Sequence, residues 1–139
     1  MARKEGVMAV QGVARRPQPH PSDRPTVFAA QPFTLSESVA RRLGASGEQM
    51  AAYIGVTFRT YQRRAQKGRL EDAEAAKVEM LDSLLNLGVR VLGDEAAARD
   101  WLTSPVLSLE GRRPIELLDT LKGYERVKNK LLQIEYGTF

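Results

Sequence analysis

The chain has 139 residues, 42% hydrophobic and 27% charged, which suits one packed domain or two very small ones and excludes wholesale disorder. It has no cysteine and a single histidine, His20, in a proline-rich stretch; disulfides and thiolate chemistry are excluded, and a His-built metal site or Ser-His triad is disfavoured. Net charge is +4 but segregated, with five Lys/Arg against two acids in residues 1–34, seven against two in 35–70, and nine against thirteen in 71–139. A basic front and an acidic back predict a polyanion partner for the first part and another task for the second.

Residues 1–34 hold five of the seven prolines and offer no periodic apolar face, so they read as a flexible N-terminal arm. From Ser36 onward the pattern is helical and the expected fold class is all-α. Ser36 and Glu37 open a first short helix whose Val39, Ala40 and Leu43 share a face before Gly44. Ser46 precedes a second, with Met50, Ala51 and Ile54 at helical spacing and Gly55 at its end. Thr57 is a good N-cap for a third, Phe58 to Lys67, closed by Gly68. A long helix over 72–92 follows, with Leu81, Leu84, Leu85, Gly88, Val91 and Leu92 on one stripe.

Asp94 caps the next helix, whose Ala97, Ala98, Trp101 and Leu102 face inward before Pro105. Val106 to Leu109 alternate and predict a short extended piece. Gly111 turns the chain and Pro114 starts a helix that buries Ile115, Leu118 and Leu121 before Gly123 breaks it. The last helix carries Tyr124, Val127, Leu131 and Ile134 and ends at Gly137. This divides the chain into the arm at 1–34, a basic unit at 35–70 and a helical unit at 71–139. No apolar run approaches the roughly 20 residues of a bilayer span, and the basic start lacks the apolar centre of a signal peptide. The expected location is therefore cytoplasmic, with no membrane partner.

Residues 47–64, GEQMAAYIGVTFRTYQRR, have the spacing of a DNA-binding helix-turn-helix. Ala51 is the small residue where two helices cross, Gly55 the turn four residues later, and Tyr61 the apolar anchor of the second helix. The second helix then presents Thr57, Arg59, Thr60, Arg63, Arg64 and Lys67 for DNA, N-terminal residues toward base edges and the basic tail toward phosphates. Arginine serves guanine and phosphate alike, so no base is assigned. A helical hairpin with a solvated basic face would carry the same residues.

Arg59-Thr60-Tyr61-x-Arg63-Arg64 is followed by the long helix, then Ala98-x-x-Trp101-Leu102-x-x-Pro105 and Leu109-x-Gly111-x-x-Pro114-x-Glu116-Leu117-Leu118. Gly123-x-x-x-Val127 and Ile134-Glu135-Tyr136-Gly137 complete the series. In this order the motifs resemble the Xre/MbcA/ParS class of bacterial type II antitoxins over about residues 36–139, with Glu110 departing from the small residue expected before the glycine. The resemblance implies an Xre-like helix-turn-helix followed by a toxin-binding domain. It implies a cognate toxin partner, usually a RES-domain enzyme consuming NAD, and repression of the antitoxin's own operon, with no chemistry by the antitoxin itself.

No catalytic residue, cofactor or metal is therefore expected. The chain's end is the expected inhibitory element, Glu135, Tyr136, Gly137, Thr138 and Phe139, flanked by Lys122, Arg126 and Lys130. Trp101 reads as the anchor of a small helical core, and Gly111 and Pro114 as fixing a turn and a helix start. The wide apolar stripe of the long helix, together with the habit of helix-turn-helix readers to pair on two half-sites, predicts a homodimer. The competing reading is a stand-alone dimeric helix-turn-helix regulator whose back half serves only dimerisation or an effector.

Overall fold

The computed structural model describes residues 32–137, and the fold over them is all-α. Six α-helices run α1 Thr34–Leu43, α2 Gly47–Ile54, α3 Phe58–Lys67, α4 Asp72–Leu92, α5 Glu95–Thr103 and α6 Leu121–Tyr136. Two 3₁₀ turns, Leu107–Leu109 and Pro114–Leu117, lie between α5 and α6. Most of the flexible arm expected at 1–34 lies outside the described residues, but its last part does not behave as an arm. Phe33 is buried, its N–H donates to the Gly68 carbonyl at 2.9 Å, and Pro32 bridges Arg69.

Local signals set most helix limits. Ser46 and Gln49 form a reciprocal capping box on α2, Thr57 accepts from the Thr60 N–H on α3, and Asp94 accepts from the Ala97 N–H on α5. Between α2 and α3 the chain reverses at Gly55, whose φ of 81° is left-handed; the Val56 N–H then reaches the Ala51 carbonyl at 2.9 Å, closing the helix end. α1 begins two residues earlier than its sequence signal. Ser36 is not a start residue there but a buried one, its hydroxyl 2.7 Å from the Tyr61 hydroxyl.

The helices share one core running from Phe33, Val39 and Met50 through Val78, Leu81 and Leu85 to Leu102, Val127 and Leu131. α4 is central: it packs on α1, α2, α5 and α6. Buried side chains on both sides of residue 70 fall in one cluster, with Val78, Leu81, Leu84 and Leu85 of α4 among them. Arg42 of α1 reinforces the join. Its guanidinium donates to Asp82 of α4 at 2.8 Å and to Glu95 of α5 at 3.1 Å.

The segment 106–123 departs from expectation. Val106 to Leu109 is not extended beyond Val106, which makes one isolated bridge to Arg112; Leu107–Leu109 then winds as a 3₁₀ turn. The reversal is made by Glu110 and Gly111, both left-handed, with φ of 56° and 73°. Pro114 starts only the 3₁₀ turn to Leu117, and Gly123 breaks nothing. Thr120 is the N-cap of α6 and accepts from the Gly123 N–H at 3.0 Å, so Gly123 sits in that helix's first turn. Leu121, expected inward, is 65% exposed because the cap places it on the outer face. A Cβ on Gly123 would stand 1.7 Å from the Leu117 carbonyl oxygen, and glycine lets the turn and the helix meet.

Candidate functional site

Two surfaces carry the residues singled out by sequence. On the first, α3 buries only Tyr61 and turns nearly all its other side chains outward. Tyr61 is fixed from behind by the Ser36 hydroxyl and by the Phe33 ring, whose centroid is 4.9 Å away. Burial pushes its phenol above the ordinary value against the opposing effect of the Ser36 hydrogen bond. Arg59, Arg63 and Lys67 are exposed on α3. Thr57 and Thr60 are tied to the cap, with the Thr57 hydroxyl 3.1 Å from that of Thr60, and Arg63 donates to Thr60 at 3.3 Å.

Arg64 stands apart from its neighbours. It makes a two-pronged bond to Glu74 of α4 at 2.8 and 3.0 Å, and both side chains are largely buried, 16% and 9% exposed. Glu74 also accepts the Glu71 N–H at 3.0 Å, completing a capping box at the start of α4. Arg64 therefore clamps α3 to α4, whereas the sequence grouped it with the DNA-facing arginines. Burial pushes the Glu74 carboxyl up, but the Arg64 and Glu71 bonds outweigh it and hold it below its ordinary 4.5. A carboxyl lowered on folding contributes stability above that ordinary value and loses it as pH falls through the folded value. The thermal midpoints of wild type and Glu74→Gln should differ at pH 7 and converge as pH falls below about 4.5. A constant gap down to pH 3 would contradict the clamp.

The second surface is formed by α6 and the turns before it. Glu135 is half-buried and accepts from Arg90 of α4 at 2.9 and 3.1 Å. Arg126 pairs with Glu110 and reaches the Ser108 carbonyl at 3.4 Å, which ties the left-handed Glu110 to α6. The Arg126 bond holds the Glu110 carboxyl below the usual carboxylate range. Lys122 is exposed and Lys130 half-buried; Tyr136 is 71% exposed, beside Gly137 in the left-handed conformation that ends the helix. Thr138 and Phe139 lie outside the described residues.

Sequence reasoning missed two features here. Trp101 is only half-buried: it packs on the core and also lines a groove of about 230 Å³ with Val106, Ser108, Lys130, Gln133 and Ile134. Leu107 beside it is 93% exposed. The alternation Val-Leu-Ser-Leu could have flagged one outward leucine, but the turn that exposes it needs the Glu110–Gly111 reversal. Among the described residues, no group of three or more His, Asp or Glu side chains is placed to hold a metal ion, and no helix is long and apolar enough to cross a membrane.

Residues 87–137, which contain this second surface, match the family model of the antitoxin Xre/MbcA/ParS C-terminal toxin-binding domain. The chain is 28% identical over 79 residues to Antitoxin Xre of Yersinia enterocolitica (serotype O:8, biotype 1B), covering 56% of this chain and 53% of that protein. It is 45% identical over 49 residues to 6-hydroxy-3-succinoylpyridine 3-monooxygenase HspA of Pseudomonas putida (strain DSM 28022 / S16), covering 35% of this chain and 16% of that protein. The chain thus spans about half the length of one of these relatives and about a sixth of the other. The C-terminal segment, residues 87–137, is thus similar to the toxin-binding domain of the Xre/MbcA/ParS antitoxins of toxin–antitoxin systems.

Proposed function

We propose that this protein is a type II antitoxin that binds and silences a cognate RES-type toxin with its α6 end and represses its own operon with α3. The observation that carries the reading is the coincidence of the toxin-binding family segment, 87–137, with a surface that leaves Tyr136 exposed at the end of α6. An aromatic at a helix end is a strong anchor for a partner's cleft. Lys130 lies on the same half of α6, Lys122 at its opposite end, and Glu135 acts by holding the helix end to α4 through Arg90. The reading also assigns Thr138 and Phe139, which lie outside the described residues, to the toxin contact.

The DNA half of the reading is supported by the exposed Arg59, Arg63 and Lys67 of α3 behind a Gly55 turn and a Thr57 cap. Two such helices in a cytoplasmic homodimer would meet half-sites about 34 Å apart. The chain itself performs no reaction.

Separation of function tests the reading. The chain is co-expressed with the protein encoded beside its gene, expected to be a RES-domain toxin, and assayed on the duplex upstream of its own reading frame. Tyr136→Ala combined with deletion of residues 137–139 should fail to rescue growth yet keep promoter binding. Arg59→Ala with Arg63→Ala should rescue growth, lose promoter affinity at least ten-fold and flatten its salt dependence. Both variants should sediment at twice the 15.5 kDa of one chain. Full rescue by the truncated protein would move inhibition to another surface, and a normal shift of promoter DNA by the double variant would remove α3 as the reader. Failure to capture any neighbouring protein, with promoter binding intact, would favour a stand-alone regulator.

A further inference from the structure

Of the large hydrophobic side chains exposed among the described residues, only Phe58 lies on α1 to α3, and it is 41% exposed. It is the first residue of α3, directly after the Thr57 cap, and Arg59, Gln62 and Arg63 around it are all exposed and polar or cationic. An apolar protein partner prefers a contiguous apolar patch, which this surface does not supply. A cationic rim around one apolar ring, at the N-terminal end of the second helix of a helix-turn-helix, instead suits the major groove of a duplex. There phosphates meet arginine, and the one apolar feature on the base edges is the C5-methyl of thymine.

The ring is also held in place before any partner arrives. A Cβ on Gly47 would stand 3.1 Å from Phe58 Cε1 and 3.5 Å from Tyr61 Cε2, so both rings rest on the bare backbone at the start of α2. Tyr61 is in turn anchored by the Ser36 hydroxyl. One edge of Phe58 is thus seated on a rigid support while the rest faces outward, and little side-chain freedom is left to lose on binding.

We infer that Phe58 is a specificity-determining residue that reads thymine in the operator through its C5-methyl group. This rests on the proposed DNA reading and adds to it a base class that Arg59 and Arg63 do not specify. Arginine donors select guanine edges or phosphates, whereas a ring edge selects the methyl that distinguishes thymine from the other bases.

The probe is the duplex upstream of the protein's own reading frame, amplified once with thymidine and once with deoxyuridine, which removes every major-groove methyl and keeps all base pairing. Wild-type protein should bind the deoxyuridine duplex about four-fold more weakly for one contacted methyl, the loss expected for one buried carbon. Phe58→Ala and Phe58→Gln should bind both duplexes equally, at about the wild-type affinity for the deoxyuridine duplex. The glutamine variant keeps bulk over Gly47, so a shared result separates methyl reading from support of the fold. If wild type and both variants have the same thymidine-to-deoxyuridine ratio, the inference is overturned while the DNA reading stands. If wild type does not bind the thymidine duplex in preference to an unrelated one, both fall together.

Discussion

Gly123→Ala should lower stability by about 4 kcal/mol, a large part of the 5–15 kcal/mol that holds a typical domain together. In an ordinary helix the change would be favourable by about 1 kcal/mol, because alanine is the better helix former. Here the added carbon would meet the Leu117 carbonyl oxygen at 1.7 Å and its carbon at 2.8 Å, and both atoms belong to the backbone. No rotamer relieves that overlap. The first turn of α6 has to move away from the Pro114–Leu117 turn, which unseats Leu117, Leu118 and Val127 from the core. Thermal unfolding followed by circular dichroism checks this, with Asn129→Ala, at an exposed α6 position, as a control that should be neutral or slightly stabilising. A Gly123→Ala midpoint within 2 °C of wild type, on the order of half a kcal/mol, would mean that the turn and helix are not in contact.

The second large effect separates two adjacent arginines. Arg64→Ala should cost about 2 kcal/mol and lower Tm by about 8 °C, since it strands the buried Glu74 carboxylate without its partner. The figure is below that for a fully buried pair because a fraction of both side chains still meets solvent. Arg63→Ala removes an exposed side chain whose hydrogen bond among the described residues is to Thr60, and should leave Tm within about 1 °C. On the proposed DNA reading the order reverses: Arg63→Ala should weaken promoter binding directly, and Arg64→Ala only as far as it loosens α3. Equal Tm losses for the two variants would contradict the clamp.

These two residues also show where sequence reading stops. The ends of α3 and α4 are legible because they depend on neighbours in the chain: Thr57 and Gly68 bracket one, and an apolar stripe at helical spacing identifies the other. Arg63 and Arg64 differ only by the roughly 100° step between consecutive helical residues, and which one meets Glu74 depends on how α4 crosses α3. The same limit explains the misread 106–123 segment. In the sequence Pro114 reads as a helix start and Gly123 as that helix's end, but Gly123 answers to the Leu117 carbonyl, and the Thr120 cap decides where α6 begins. Glu135 and Arg126 were legible as charges near the end of the chain. Their partners, Arg90 and Glu110, lie 45 and 16 residues away and emerge only from the packing.

The unbroken core has a thermodynamic consequence. α3 and the end of α6 lie on opposite halves of the chain, yet the buried stripe of α4 and the three-way bond of Arg42 join them without an internal boundary. The folded part then unfolds as one cooperative transition, and the two surfaces share a single free energy of unfolding. A ligand on either surface stabilises the whole by RT ln(1 + [L]/Kd), about 2.7 kcal/mol at a hundred times its Kd. Each ligand thereby lowers the population of globally unfolded chains open to a protease, including at sites it never touches. Lifetime in the cell becomes a readout of occupancy that requires no conformational signal between the two ends.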